Sequence, residues 1–230
     1  MSMVRVENVV KRYAKGGEEI RPLDGIDLTV EEGEYVSLMG PSGSGKTTLL
    51  NLVAGIDRPT SGRVFVDGEE VSAMSESKLA AWRTRSIGYI FQLYNLIHVL
   101  TEWENVELPL LLRSLSKSER KKHVETALDA VGLLDRKDHY PRQLSGGQEQ
   151  RVAIARAVVT DPKVIVADEP TGDLDAKAGG EILDLLSALR ERFGKTLLMV
   201  THDANAAEHA GRIVHLDKGV IAHSSTGGAS

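Results

Sequence analysis

A chain of 230 residues with net charge −5 and no cysteine is long enough to bury a substantial core, and it excludes disulfides and thiolate metal sites. The acidic balance argues against nucleic acid as the main partner, and the lack of cysteine fits a reducing compartment. No apolar run approaches the ~20 residues of a spanning helix, and Met1–Glu7 lacks the apolar core of a signal peptide; any membrane role is therefore expected to come through a partner.

Val4 to Val10 alternates apolar and polar residues and predicts a strand, followed by Lys11-Arg12-Tyr13. Asp27–Val30 and Gly62–Val66 predict further short strands, and the turns at Glu32-Gly33 and Asp67-Gly68 suit a small antiparallel sheet. Between them, the apolar run Tyr35–Met39 predicts a buried strand and Thr48–Ala54 a helix. Ser75 to Arg83 reads as a short helix and Ile87–Phe91 as a strand ending at Gln92. From there to about Val159 the pattern is helical. Thr101–Glu104 and Ser116–Glu119 both fit the capping box. The helix opened by Ser116 carries Val124, Ala127, Leu128 and Val131 at core spacing and stops at Gly132. Pro109 predicts a kink or an early end for the helix before it. Lys163–Asp168 is a buried-strand pattern, Ala176–Arg192 an amphipathic helix ended by Gly194, and Thr196–Val200 another apolar strand. Arg212–His215 and Val220–His223 predict a final pair of strands. The fold expected is α/β: a P-loop NTPase core with an N-terminal antiparallel β subdomain and a helical subdomain inserted at about residues 93–159. Residues 1–223 form one domain, and residues 224–230 are expected to be a flexible tail.

The chemistry centres on Gly40-Pro41-Ser42-Gly43-Ser44-Gly45-Lys46-Thr47, which fits G-x-x-x-x-G-K-[ST] between a strand and a helix. Such a loop turns successive N–H groups and the positive end of a helix toward an anion. Lys46 is placed to reach the β- and γ-phosphates and Thr47 to hold Mg²⁺. A glycine turn of this kind that binds nothing is improbable with every part in register, so this is a nucleotide site. Asp168 and Glu169 follow a hydrophobic strand, where α/β sheets place ligand groups. One acid there can support Mg²⁺ and the next can activate water. Leu144-Ser145-Gly146-Gly147-Gln148 is a second glycine-rich turn opening a helix, with Val152, Ile154, Ala155 and Val158 directed to a core. From the residues alone, a second anion cradle and an ordinary capped helix start are equally good readings of it. Tyr13 can stack on an adenine or serve as a half-buried strand-end tyrosine.

Gly40–Thr47, Gln92, Leu144–Gln148, Asp168-Glu169, Gly172-Asp173-Leu174-Asp175 and His202 together resemble the ATP-binding cassette nucleotide-binding domain, in order and spacing, from about Met3 to His223. The resemblance implies ATP and Mg²⁺ as ligands. It implies a head-to-tail pair of subunits, either two copies or a homologous partner, in which Ser145, Gly146, Gly147 and Gln148 of one cover the γ-phosphate on the P-loop of the other. It gives Tyr13 the adenine, Gly43, Gly45, Lys46, Thr47 and Thr48 the phosphates and metal, and Gln92 the metal and the attacking water. Asp168 supports the metal, Glu169 is the general base, Asp175 lies at the dimer seam, and His202 contacts the γ-phosphate.

Phe91–Leu96, Leu100-Thr101 and Glu104–Pro109 are similar to the lipoprotein-release and macrolide-export ATPases of that family. His98-Val99, Asp173 and Glu149 depart from the usual pattern outside the catalytic set. Residues 94–103 are expected to form the cleft that receives an integral-membrane permease, with Tyr94, Leu96 and Trp103 as candidate contacts or as internal packing. The function implied is an ATPase subunit on the cytoplasmic side of the cell membrane that drives a permease for export or extraction. The alternative is a cell-division-type ATPase that signals without moving a solute.

Overall fold

The computed structural model describes residues 1–228. The chain opens with β1 (Ser2–Lys15) and β2 (Glu18–Glu31), then β3 (Tyr35–Met39), α1 (Lys46–Val53), β4 (Ser61–Val66), β5 (Glu69–Glu70), α2 (Glu76–Ser86) and β6 (Ile87–Ile90). A helical stretch follows, with α3 (Glu102–Glu107), α4 (Lys117–Ala130) and α5 (Gly146–Val158). The chain then returns through β7 (Val164–Asp168), α6 (Ala176–Phe193), β8 (Thr196–Val200), α7 (Ala204–Ala207), β9 (Arg212–Asp217) and β10 (Val220–Thr226).

Two sheets result. A four-stranded antiparallel sheet has the order β2-β1-β4-β5, and a six-stranded sheet has the order β10-β9-β3-β8-β7-β6. In the larger sheet β9, β3, β8, β7 and β6 run parallel, and β10 closes the edge antiparallel to β9. The α/β class and the small antiparallel sheet are as the sequence implied.

The six-stranded sheet is a wall between two cores. Because side chains alternate across a strand, Val36, Leu38, Val164, Val166, Leu198 and Val200 face the first core, which they share with α1, α2 and the antiparallel sheet. Ile165, Ala167, Leu197 and Met199 face the second, packed with α3, α4, α5 and α6. Each fully buried Leu or Ile contributes about 1.5–3 kcal/mol to this arrangement, which explains why the parallel strands read as unbroken apolar runs.

β1 and β2 exceed the expected strands. Their outer ends, which pair Tyr13 with Ile20 and Ala14 with Glu19, are exposed, and backbone pairing extends there with no buried face to impose alternation. Both predicted capping boxes form: Thr101 Oγ1 accepts from Glu104 N at 3.2 Å and Ser116 Oγ from Glu119 N at 3.3 Å. In return, Glu104 Oε2 and Glu119 Oε2 accept from the N-cap amides at 2.8 and 2.7 Å. α3 ends before Pro109, and Leu108–Leu112 tightens into a 3₁₀ turn. The expected flexible tail from residue 224 needs correction. β10 continues to Thr226, and the amides of Gly227 and Gly228 donate to the carbonyls of Gly211 and Glu208; edge pairing needs no apolar side chains, so composition gave no sign of it. Ala229 and Ser230 lie outside the described residues.

Candidate nucleotide site

The loop between β3 and α1 hangs over the C-terminal edge of the parallel strands. Two of its glycines are required by close backbone approach as well as by conformation. Gly40 has φ +149 and Gly45 φ +101, and a Cβ on either would overlap a carbonyl oxygen, of Leu216 and Pro22 respectively. The loop is thereby pressed against β9 and β2. Lys46 folds back across it, its Nζ donating to Gly40 O at 2.7 Å and Pro41 O at 2.9 Å. Burial lowers the pKa of this ammonium, opposed by the nearby carboxylates of Glu169 and Asp168. Ser44 Oγ is buried with no hydrogen-bond partner, while the space over Gly43 is open. A cation held only by its own loop's carbonyls, an orphaned hydroxyl and an open concavity are what a phosphate would complete.

The facing strands supply the acids. Asp168 ends β7, and its Oδ1 accepts a hydrogen bond from Thr47 Oγ1 at 3.0 Å. Burial raises the Asp168 pKa, with the Thr47 bond opposing that shift and Glu169 reinforcing it. Glu169 follows in the left-handed region at φ +47, its amide donating to Val200 O at 2.9 Å and its carbonyl accepting from Gly172 N at 3.0 Å. That strained turn carries the Glu169 carboxylate over the cleft, where Oε2 lies 3.0 Å from His202 Nδ1. A hydroxyl and a carboxylate are hard oxygen donors of the kind Mg²⁺ takes. Among the described residues no set of three or more acids or histidines converges on one point, as suits an ion whose remaining positions are filled by water and substrate phosphates.

Tyr13, Ser42, Gly43, Gly45, Lys46, Thr47, Thr48, Glu169 and His202 line one cleft of about 690 Å³, joined by Ile20 and Pro22, within the size range of ligand sites. Tyr13 sits on the outer ribbon opposite Ile20. Its hydroxyl donates to Asp57 Oδ2 at 2.6 Å, its pKa is pushed up to about 12 by burial and by Asp57, and Lys11 Nζ lies 4.6 Å from its ring centroid. Tyr13 is 41% exposed and is held at its hydroxyl end. Gly40, Pro41 and Ser44 form the loop's own frame, and Gln92 lies against Gly172, in the turn after Glu169.

Ser145, Gly146, Gly147 and Gln148 do not line this cleft. They open α5 as a capping box, with Gln148 N donating to Ser145 Oγ at 3.4 Å and Ser145 N to Gln148 Oε1 at 2.9 Å. The first-turn amides of Gly146 and Gly147 have no intrahelical acceptor. Asp175 caps α6, accepting from Ala178 N at 2.9 Å.

Several residues that organise the site escaped sequence reasoning. Asp57 and Lys11 fix Tyr13. Gln150 is fully buried and donates to Pro170 O at 2.7 Å, joining α5 to the turn after the acids. Arg156 donates to the carbonyls of Tyr94 and Asn95 at 2.7 and 2.6 Å, two successive residues at positive φ. Asn105 is buried and pins residues 97–101 through Ile97, Leu100 and Thr101. No spacing rule marks such residues; most of their partners are brought near only by the fold. Of the residues offered as permease contacts, Leu96 is in the core and Tyr94 and Trp103 are half-buried, whereas Leu93, Ile97 and Val99 are 71%, 44% and 81% exposed.

Residues 23–172 match the family described as ABC transporter. The chain is 48% identical over 225 residues to the uncharacterized ABC transporter ATP-binding protein YknY of Bacillus subtilis, covering 98% of this chain and 97% of that protein. It is 45% identical over 219 residues to the macrolide export ATP-binding/permease protein MacB of Hyphomonas neptunium, covering 95% of this chain and 34% of that much longer protein. Among solved structures, the dimeric post-hydrolysis state of the ATP-binding cassette MJ0796 bound to ADP and Pi, from Methanocaldococcus jannaschii, aligns with a TM-score of 0.89 at 44% identity, over 97% of this chain and 98% of that one.

Proposed function

We propose a specific role for this chain, which belongs to the ABC transporter family and is an ATPase: it pairs head to tail on ATP and drives a separate membrane permease in export or extraction of a lipoprotein, peptide or drug-like molecule. The observation that carries this reading is the single cleft in which Lys46, the Thr47–Asp168 pair and the Glu169–His202 pair meet below Tyr13. Tyr13 stacks on the base. The loop amides and Lys46 hold the β- and γ-phosphates, while Thr47, Asp168 and Gln92 would hold Mg²⁺, which would neutralise phosphate charge.

Glu169 accepts a proton from water as the water oxygen bonds to the γ-phosphorus. The bond from that phosphorus to the bridging oxygen breaks, and its electron pair leaves on ADP. His202 orients the Glu169 carboxylate and contacts the γ-phosphate. Ser145, Gly146, Gly147 and Gln148 close the site of a second subunit, since none of them lines the cleft of its own chain. Dimers among the related structures support this pairing.

A permease partner is supported by the relative whose name joins ATP-binding and permease functions and by the exposed Leu93, Ile97 and Val99 on a loop pinned by Asn105. No helix among the described residues is long and apolar enough to cross a membrane, so membrane attachment at the cytoplasmic face runs through that partner. The acidic chain suits no nucleic-acid role.

Glu169→Gln tests the reading. Steady-state hydrolysis is expected to fall by about 10²–10⁴-fold, the usual contribution of a general base, while ATP still binds and a dimer accumulates on sizing. Unchanged turnover would remove Glu169 from the mechanism.

A further inference from the structure

A cavity of about 370 Å³ lies between α4 and the C-terminal ends of α5 and α6, and it shares no lining residue with the nucleotide cleft. Its apolar lining is Ala127 and Ala130 from α4, Val158 and Val159 at the end of α5, and Leu189 and Phe193 from α6. The space exists because α4 offers alanines where Leu or Ile would close the gap. Phe193, the last residue of α6, is left 53% exposed.

The polar lining is Lys122, His123, Thr126, Asp161 and Lys195. Lys195 is buried and its charge is met, Nζ donating to Asp161 Oδ1 at 2.5 Å. Lys122 is not met: it makes no ion pair among the described residues, although the preceding Arg120 and Lys121 pair with Glu107 and Glu125. His123 stands beside it, and Glu119, whose carboxylate caps α4 at Ser116, lies close enough to both that their charges help lower its pKa. An apolar chamber with an ammonium that makes no direct ion pair and an imidazole in its wall favours an amphipathic anion over a cation or a neutral solute.

We infer that this cavity is a binding site for a small amphipathic anion, whose aromatic or acyl body packs on Ala127, Ala130, Val159 and Phe193 and whose acidic head meets Lys122 and His123. The site joins α4 to the ends of α5 and α6, so an occupant contacts all three helices at once.

The test is a fluorescence titration of the whole chain with anilinonaphthalenesulfonate, in excess ADP to keep the nucleotide cleft filled, with decanoate and decylamine as competitors. We expect saturable binding that decanoate displaces and decylamine does not. Ala130→Trp fills the chamber and is expected to weaken the probe by at least about tenfold. Lys122→Glu, an exposed change that leaves the core untouched, is expected to weaken it by roughly threefold, the scale of one exposed ion pair. Val99→Ser, on the exposed apolar loop, is expected to leave it unchanged. No saturable binding, affinity unaltered by Lys122→Glu in protein with an unchanged melting curve, equal displacement by decylamine, or loss of the signal in Val99→Ser would each overturn the proposal.

Discussion

The two glycine-rich turns of this chain open helices on opposite sides of the six-stranded sheet, and they are held in different ways. The Gly40–Thr47 loop, leading into α1, is gripped by backbone: Leu216 and Pro22 carbonyls occupy the space where Gly40 and Gly45 would carry side chains. The Ser145–Gln148 turn, leading into α5, is held by side chains. A Cβ on Gly147 would sit 3.3 Å from Ala178 Cβ, and one on Gly146 2.9 Å from the Tyr94 hydroxyl. Beside this second turn the structure also tolerates Tyr94 and Asn95 at positive φ, and elsewhere on the helical side it holds a buried Glu102 whose carboxylate has no partner. On the pairing proposed above, a rigid cradle suits a phosphate bound throughout a cycle, and a side-chain-held one suits a surface that meets its phosphate only when a partner arrives.

The sharpest way to break the contrast is a matched pair of glycine substitutions. Gly45→Ala forces a Cβ into the Pro22 carbonyl at φ +101, and we expect it to destabilise the fold by about 3–5 kcal/mol, combining backbone strain and overpacking, as read by urea melts. Next in size is Glu102→Leu on the helical side. Glu102 is wholly buried with neither carboxylate oxygen bonded, and burial raises its pKa from the usual 4.5 to about 7, against the opposing pull of Arg136.

The sign follows from proton linkage. Across that window the native state keeps a proton that the unfolded chain has released, so stability is greatest below pH 4.5 and falls as pH rises toward 7. Glu102→Leu is expected to add about 2–3 kcal/mol above pH 7 and to flatten this part of the pH–stability curve. A variant with the wild-type slope would assign the titration to another group.

Smaller in stability, and sharper in function, are two changes in the second turn. Ser145→Arg should leave ATP binding by the isolated subunit within about twofold, since Ser145 is outside the cleft, while abolishing the ATP-dependent dimer on sizing. A dimer that survives would separate this turn from the partner's nucleotide. The smallest expected shift is in Gly147→Ala, where the gain in helix propensity of about 1 kcal/mol offsets the tight approach to Ala178. Its melting curve should stay within about 0.5 kcal/mol of wild type, in contrast to Gly45→Ala.

Much of the site could be read from sequence because its parts obey local rules. Lys46 and Thr47 follow a glycine loop between a strand and a helix, Asp168 and Glu169 follow an apolar strand, and His202 follows another. Parallel strands end on one edge of a sheet, so residues just past each strand converge. The capping boxes at Thr101 and Ser116 are likewise local, each spanning three residues. Asp57, Arg156, Gln150 and Asn105 were illegible because their partners lie up to 62 residues away or on backbone placed by other elements. Leu96 and Val99 show the same limit: both are apolar and three residues apart, yet one is buried and the other 81% exposed.

What the sequence determined by itself was the strand–loop–helix units that carry Lys46, Thr47, Asp168, Glu169 and His202, and the two glycine-rich turns that open helices. Hydrogen bonding and side-chain alternation act over a few residues and leave a mark at fixed spacing. What only the tertiary structure decided was how the groups meet: Thr47 on Asp168, His202 on Glu169, Tyr13 held by Asp57, and the second turn set apart from the cleft. Those contacts depend on which strands lie side by side, and strand order is fixed by packing two cores against one sheet.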